Sequence, residues 1–539
     1  MNPEQDSIPT RDTAKGKLVE IRPIHVEEWL NSLPYTDFES TSQLLQAALR
    51  ATNMQSVKPS TRLELVQLYH RPYQYFIESR IKSSAERNLQ SIETAHMQVA
   101  AMKKLAVEMA FACKLILNDS VSKKSLWGKS KPLIEGMLFG MHYLAHALML
   151  SFQGYAPTPK NVWRELSSIY ELAERLNEHM TLLDTPDDDS DKQTTIDHTY
   201  KQILLAAVGD PHQLPYGAIW EIYDQLEEWA TQTHLGGFQP VKEASGYFVV
   251  DLKSDTRPIP YVKFRFETIT DHHRLFDCRP LEGIVQQHLD RIQSGHGRDA
   301  TLQFSPHYAK VLLGHLLKVW GLPPRRAFPR EPKATTMEIT CGINATYFYL
   351  NGQRDFVKAI QDAEEEGEII VREKINQRQP AQRARVYSAE NWNVINQGPG
   401  GLAVFKNAKL QQPVRIGELV GLKIPGHNGT EDDWTIGVVR WLMIHKNMEH
   451  KLGIQILASK ARPATVCALV GGPVDTEQRR AILAATPEQD REISLITTNG
   501  LYQEGRSLEV SVGEETFQVR ANKLLESTAS LEQFSYKRT

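Results

Sequence analysis

Apolar residues recur at spacings of three and four from Val26 to Ala230. Met102, Leu105, Met109, Ala112 and Ile116 form one such row, and Val162, Leu166, Ile169, Ala173 and Leu176 form another. That period marks helices with one buried face. Ile219, Tyr223 and Leu226 open a third row after Asp210-Pro211-His212-Gln213-Leu214-Pro215, where the prolines end one helix and let the next begin. The spacing predicts a helical domain over 26–230, built as a bundle or a repeat-like stack. Pro132 to Phe152 is apolar nearly all round and close to the ~20 residues that cross a bilayer. Glu135, His142 and His146 lie within it and would be costly in lipid, so the stretch is expected to be a helix buried in the bundle, with no membrane insertion.

Beyond Ala230 the pattern is mixed. Tyr247 to Leu252 and Tyr261 to Ile269 read as strands, Leu281 to Ile292 and His307 to Trp320 as helices, which together predict a small α+β module over 231–322. Period-two segments bounded by Gly, Asn and Pro dominate from 323 on. Strands are expected at Met337–Ile343, Trp392–Asn396, Leu402–Phe405, Glu418–Ile424, Trp434–Leu442 and Leu452–Leu457, enough for a six-stranded antiparallel barrel over 323–470. The charged stretch 351–385, with Glu364-Glu365-Glu366 and Gln377-Arg378-Gln379-Pro380, reads as an insertion. After Pro473 a polar helical stretch and then alternating Leu508, Val510, Val512 and Phe517, Val519 predict a C-terminal small β module over 471–539. The fold class expected is multidomain α+β, preceded by a disordered tail over 1–25.

Composition narrows the function. A net charge of -3 over 539 residues supplies no basic field for duplex nucleic acid, so an anionic ligand must be met locally. Cys113, Cys278, Cys341 and Cys467 are scattered singly and read as reduced thiols, and the polar N-terminus lacks the apolar stretch of a secretory signal, so a cytoplasmic location is expected. No Walker A sequence, nucleophile elbow or dinucleotide fingerprint occurs, and catalysis is not expected. His142 and His146, one helical turn apart, read as packing residues rather than metal ligands. Asp187, Asp189 and Asp191 read as an acidic loop, since Lys192 and His198 stand where a calcium loop needs glycine and glutamate. An enzyme using Asp271, His272 and His273 for acid-base work is a third, weaker reading.

The strongest chemistry lies ahead of the barrel's first strand. Pro324-Arg325-Arg326-Ala327-Phe328-Pro329-Arg330 places three guanidiniums in six residues; their planar forks bond phosphate oxygens or the guanine edge in pairs, and their faces stack on bases. Asn396-Gln397-Gly398-Pro399-Gly400-Gly401 follows the second strand, with glycines that let backbone pass close to a ligand and an amide that both donates and accepts. Together with Trp434-Thr435-Ile436-Gly437-Val438-Val439-Arg440-Trp441 and Leu452-Gly453-Ile454-Gln455, these segments resemble a PilZ domain over about 324–461. The layout is similar to that of large proteobacterial PilZ proteins with a helical N-terminal region.

The resemblance implies a cyclic di-GMP receptor with R-x-x-x-R and [D/N]-x-S-x-x-G motifs. It would place Arg326 and Arg330 on phosphates and guanine faces, with Arg325 beside them, Asn396 on a guanine edge, and Gly398 and Gly401 in the turn. It also implies a protein partner met through the helical domain, in motility, pili, secretion or biofilm formation. Gly398 departs from the family's serine, a lost hydroxyl worth about 0.5–1.5 kcal/mol if it bonds the ligand. The insertion either brings Arg378, Arg383 or Arg385 near the site or blocks it. The alternative is a degenerate PilZ-like scaffold that works through protein contacts without nucleotide.

Overall fold

The computed structural model describes residues 19–82, 92–122, 130–186, 192–292, 294, 301–304, 309–321, 329–354, 387–423, 434–445, 449–469, 477–486 and 489–539. The chain divides into two compact units that meet in sequence at Pro324 and Arg325. The tail 1–18, the acidic Asp187–Asp191, His307, Arg325, Arg326, Ile424 and the part of the insertion bearing Arg378, Arg383 and Arg385 lie outside the described residues.

In the first unit the helices are α1 (Pro23–Asn31), α2 (Phe38–Asn53), α3 (Pro59–Phe76), α4 (Ile92–Ser122), α5 (Lys131–Gln153), α6 (Val162–Leu176), α7 (Ile196–Val208) and α8 (Ala218–Trp229). The break between the last two holds a short 3-10 turn at Pro211–Gln213, as its prolines predict. The expected central helix is α5. It is apolar and long enough to cross a membrane, yet it is buried by its neighbours. Gly136 and Gly140 bring it against α4, since a Cβ on Gly136 would lie 3.0 Å from Ile116 Cγ2 and one on Gly140 3.3 Å from Cys113 Cβ.

Small strands β1 (Leu183–Asp184) and β2 (Gln193–Thr194) pair before α7. A four-stranded sheet follows, with β3 (His234–Gly237), β4 (Tyr247–Asp251), β5 (Ile259–Pro260) and β6 (His273–Asp277) in the order β3-β6-β4-β5, and then α9 (Pro280–Arg291) and α10 (Ala309–Trp320). Leu235, Phe248, Phe276, Leu281 and Trp320 share one continuous hydrophobic core with residues from Val26 onward, so this stretch packs with the helices rather than standing alone. The strand expected at Tyr261–Ile269 is absent: two 3-10 turns, Tyr261–Lys263 and Phe266–Thr268, take its place. The alternation of Phe264 and Phe266 has another cause, because these rings gather with Tyr261 around Phe238. The sheet's central strand β6 was hidden under His272-His273.

The second unit holds two barrels. Strands β8 (Thr336–Cys341), β9 (Glu390–Gly398), β10 (Gly401–Asn407), β11 (Leu419–Lys423), β12 (Thr435–Ile444) and β13 (Glu449–Ala458) close antiparallel in the order β9-β10-β13-β12-β11-β8, and β7 (Glu331–Pro332) adds to β9. These are the six strands the alternation predicts. Met337, Ile339, Trp392, Val394, Leu402, Val404, Leu452 and Ile454 are buried. The first strand stops short of Ile343, because Gly342, at φ 88°, turns the chain into α11 (Ile343–Leu350), whose Tyr349 ring lies 5.0 Å from Trp434.

The expected C-terminal β module is a second closed six-stranded barrel. It comprises β14 (Lys460–Ala468), β15 (Arg479–Thr486), β16 (Gln489–Thr497), β17 (Ser507–Val512), β18 (Glu515–Ser527) and β19 (Glu532–Arg538), in the order β14-β15-β16-β19-β18-β17. It begins at Lys460, ahead of 471, since only Ser459 separates β13 from β14. The polar helical stretch expected after Pro473 is strand β15 from Arg479 on. Ala481 and Leu483 face its own barrel while Ile482 and Ala484 face a second apolar layer, and burial on both faces erases the period-two signal.

Candidate ligand site on the first barrel

The segment entering the first barrel pairs with the second strand of its sheet. Register places Glu331 opposite Gln397 and Pro332 opposite Asn396, so Arg330 falls at the level of Gly398. Its Nη1 donates to Asn396 Oδ1 at 3.5 Å, a long bond at the limit of the geometry. The two residues are 66 positions apart in sequence, and the sheet alone brings them together.

Asn396 owes its orientation to a bulge. Val404 pairs with Val394 but Ala403 with Asn396, so the register shifts between Ala403 and Val404; such a shift re-aims a side chain beside a site. Beyond the bulge, Asn396, Gly398, Gly401 and Ala403 share a face with Gly453 and Gln455 of β13, which pair with Ala403 and Gly401.

The glycines are fixed by crowding. A Cβ on Gly398 would lie 2.5 Å from the Pro329 carbonyl oxygen, so the incoming segment can run this close only because no side chain intervenes. A Cβ on Gly401 would lie 2.4 Å from the Ile454 carbonyl oxygen and 3.4 Å from Arg330 Nη2. The Arg330 guanidinium thus lies over a floor of bare backbone. A Cβ on Gly453 would strike the Trp441 indole at 1.8 Å, so Trp441 lies flat on that glycine at the same face. Lys333 Nζ donates to Gln397 Oε1 at 3.1 Å, and Arg440 Nε to Gln455 Oε1 at 2.8 Å.

Of the residues singled out from sequence, the structure brings Arg330, Asn396, Gly398 and Gly401 together; Arg325 and Arg326 lie outside the described residues. Gln455, on the face of Asn396 and Gly398, was not singled out, whereas Lys333 bonds Gln397 on the opposite face of the sheet. The signal for Gln455 is the register, which pairs strands distant in sequence. A guanidinium over glycine backbone, with an amide and an indole at the same face, offers charge for phosphate, a face for stacking and an edge for base hydrogen bonds.

The other constellations take different forms. His142 and His146 lie with ring centroids 4.1 Å apart and planes tilted by 42°, and His146 Nδ1 lies 2.9 Å from Tyr73 Oη in a buried aromatic layer. Asp271, His272 and His273 do not converge: His272 pairs with Glu171 at 3.4 Å, while His273 is buried and accepts from the Thr270 amide at 3.0 Å.

Three family models match in succession. They are the N-terminal domain of the cyclic-di-GMP receptor FimW at 24–240, its middle PilZ domain at 247–385 and 366–463, and its C-terminal β-barrel domain at 469–539. The cyclic-di-GMP receptor FimW of Pseudomonas aeruginosa strain PAO1 is 23% identical over an alignment covering 98% of this chain and 93% of that protein. No solved structure matches the chain. With its barrels, motif order and matched domains in agreement from end to end, the chain belongs to the PilZ-domain family and carries the three-domain plan of FimW.

Proposed function

We propose that this protein is a non-enzymatic cyclic di-GMP receptor acting in the cytoplasm, with its ligand held on the first barrel. Arg326 and Arg330 bond the phosphates and stack on the guanines, Arg325 adds charge, and Asn396 reads a guanine edge above Gly398 and Gly401. The observation that carries this reading is the Arg330 guanidinium poised over glycine backbone beside Asn396. The relative's name speaks for the same ligand. Occupancy would alter a surface read by a protein partner of the helical domain, in pilus function or motility, through a coupling of about 1–3 kcal/mol.

Isothermal titration of cyclic di-GMP into the full chain, with GTP as control, tests it. Saturable binding is expected, weakened at least tenfold by Arg330→Ala, a loss of about 1.4 kcal/mol or more, and abolished by Arg326→Ala/Arg330→Ala. Gly398 in place of the family's serine favours a second reading, a scaffold that has lost its nucleotide. No heat from folded protein at high micromolar ligand would select it.

A further inference from the structure

One end of the second barrel carries two exposed arginines beside aromatic rings that pack on the edge of its core. The inward rows of this barrel run through Ala464 and Val466, Val510, Val519, and Phe534, all buried. Alternation continues each row outward to Arg462 on β14, Val512 on β17, Phe517 on β18, and Tyr536 and Arg538 on β19. Register pairs Arg462 with Leu483, Phe517 with Val510, Arg538 with Val519 and Tyr536 with Ala521, and the tilt of the strands brings Arg538 over the Phe517 ring and both arginines near Tyr536. Two arginines and two aromatic rings therefore rim one mouth, above a floor of apolar side chains.

Arg538 lies 3.9 Å from the Phe517 ring centroid and pairs with Glu515 at 3.1 Å, both side chains more than half exposed. Arg462 is exposed and, among the described residues, makes no ion pair. Tyr536 is half-buried, and burial pushes its phenol up; the charges of Arg538 and Arg462 pull it down, and the Glu515 carboxylate raises it.

We propose that this mouth is a second ligand site, fitted to a nucleotide. Arg462 and Arg538 grip the phosphate, while the base lies against Tyr536 and Phe517. Guanidiniums supply the paired donors that phosphate oxygens accept, and aromatic faces hold a base whatever its identity. The site is separate from that on the first barrel and does not depend on it.

The test titrates guanosine monophosphate, cyclic di-GMP and inorganic pyrophosphate, each at low salt, into three full-length chains: wild type, Arg330→Ala and Arg462→Gln/Arg538→Gln. Both arginines of the last variant are exposed, and its thermal midpoint is recorded alongside. The expected result is guanosine monophosphate bound by Arg330→Ala as by wild type, with at least tenfold weaker binding of it in Arg462→Gln/Arg538→Gln. Equal binding by wild type and that variant overturns the proposal. So does the absence of any nucleotide binding to Arg330→Ala at millimolar concentration. Pyrophosphate bound as tightly as the monophosphate overturns the nucleotide assignment, since the rings would then contribute nothing. Failure of the first-barrel reading shows up separately, as an unchanged cyclic di-GMP titration on Arg330→Ala.

Discussion

At position 398 a glycine replaces the serine of the family motif, and the missing hydroxyl matters less than the missing Cβ. With Pro329 O only 2.5 Å from where that Cβ would stand, Gly398→Ser must push the incoming segment, and Arg330 with it, off the barrel. Overpacking of this kind costs about 1–3 kcal/mol. The variant is expected to be less stable in urea and to bind cyclic di-GMP more weakly than wild type; tighter binding would mean that the segment yields easily and the hydroxyl prevails. His142 gives a second prediction. Burial, reinforced by the positive charge of Lys82, lowers its pKa from 6.5 to about 3, so it is neutral in the fold and takes a proton on unfolding below pH 6.5. Its contribution to stability is therefore complete above pH 6.5 and drains away as pH falls toward 3, by about 1.4 kcal/mol per pH unit in that window. Denaturation of the helical unit at pH 7 and pH 5 should show a smaller loss for His142→Gln than for wild type.

Among the elements, α5 sets the packing of the first unit. Its charge-poor sequence can be read as a span or as a core helix, and the helices around it decide for the core. Gly140 admits Cys113 Cβ and Ile169 Cδ1, each 3.3 Å from the position of an added Cβ. Gly140→Leu should therefore wedge α4 and α6 away from α5 and lower the stability of the helical unit by about 1–3 kcal/mol in urea denaturation. Gly140→Ala asks for only a few tenths of an ångström and should cost less. On the β side, the bulge at Ala403 and Val404 turns Asn396 toward Arg330. An isolated reading of Asn396-Gln397-Gly398 shows the turn but not that shift, because a bulge is a mismatch between two strands and belongs to neither alone.

At the scale of the whole molecule, the two barrels of the second unit behave as one body. Ile436, Val438 and Leu457 of the first share an apolar layer with Ile482, Ala484 and Ile496 of the second. Arg440 bonds both Gln455 beside the candidate site and the carboxylate of Glu526 on β18. Thr528 Oγ1 donates to the Gly417 carbonyl oxygen at 2.6 Å. Ile482→Asp would bury an unpaired charge in that layer, at a cost of several kcal/mol. Amide hydrogen exchange on the full chain should then show protection lost in both barrels together; loss confined to the second would mean that they open independently.

Sequence alone determined the helical half and the six strands of the first barrel and singled out Arg330, Asn396, Gly398 and Gly401 as candidates, because each rests on local signals: a period of 3.6 or 2, or a motif in a fixed order. Tertiary structure decided what depends on pairing distant segments. It joined the sheet around β6 to the helical core, made a strand of Arg479–Thr486 where two buried faces hid the alternation, and turned Phe264 and Phe266 into an aromatic cluster rather than a strand. It also placed Gln455 beside the candidate site and gathered Arg462, Phe517, Tyr536 and Arg538 at one end of the second barrel. Barrel closure is the physical reason: register between strands tens of residues apart sets which side chains meet, and no local pattern encodes that register.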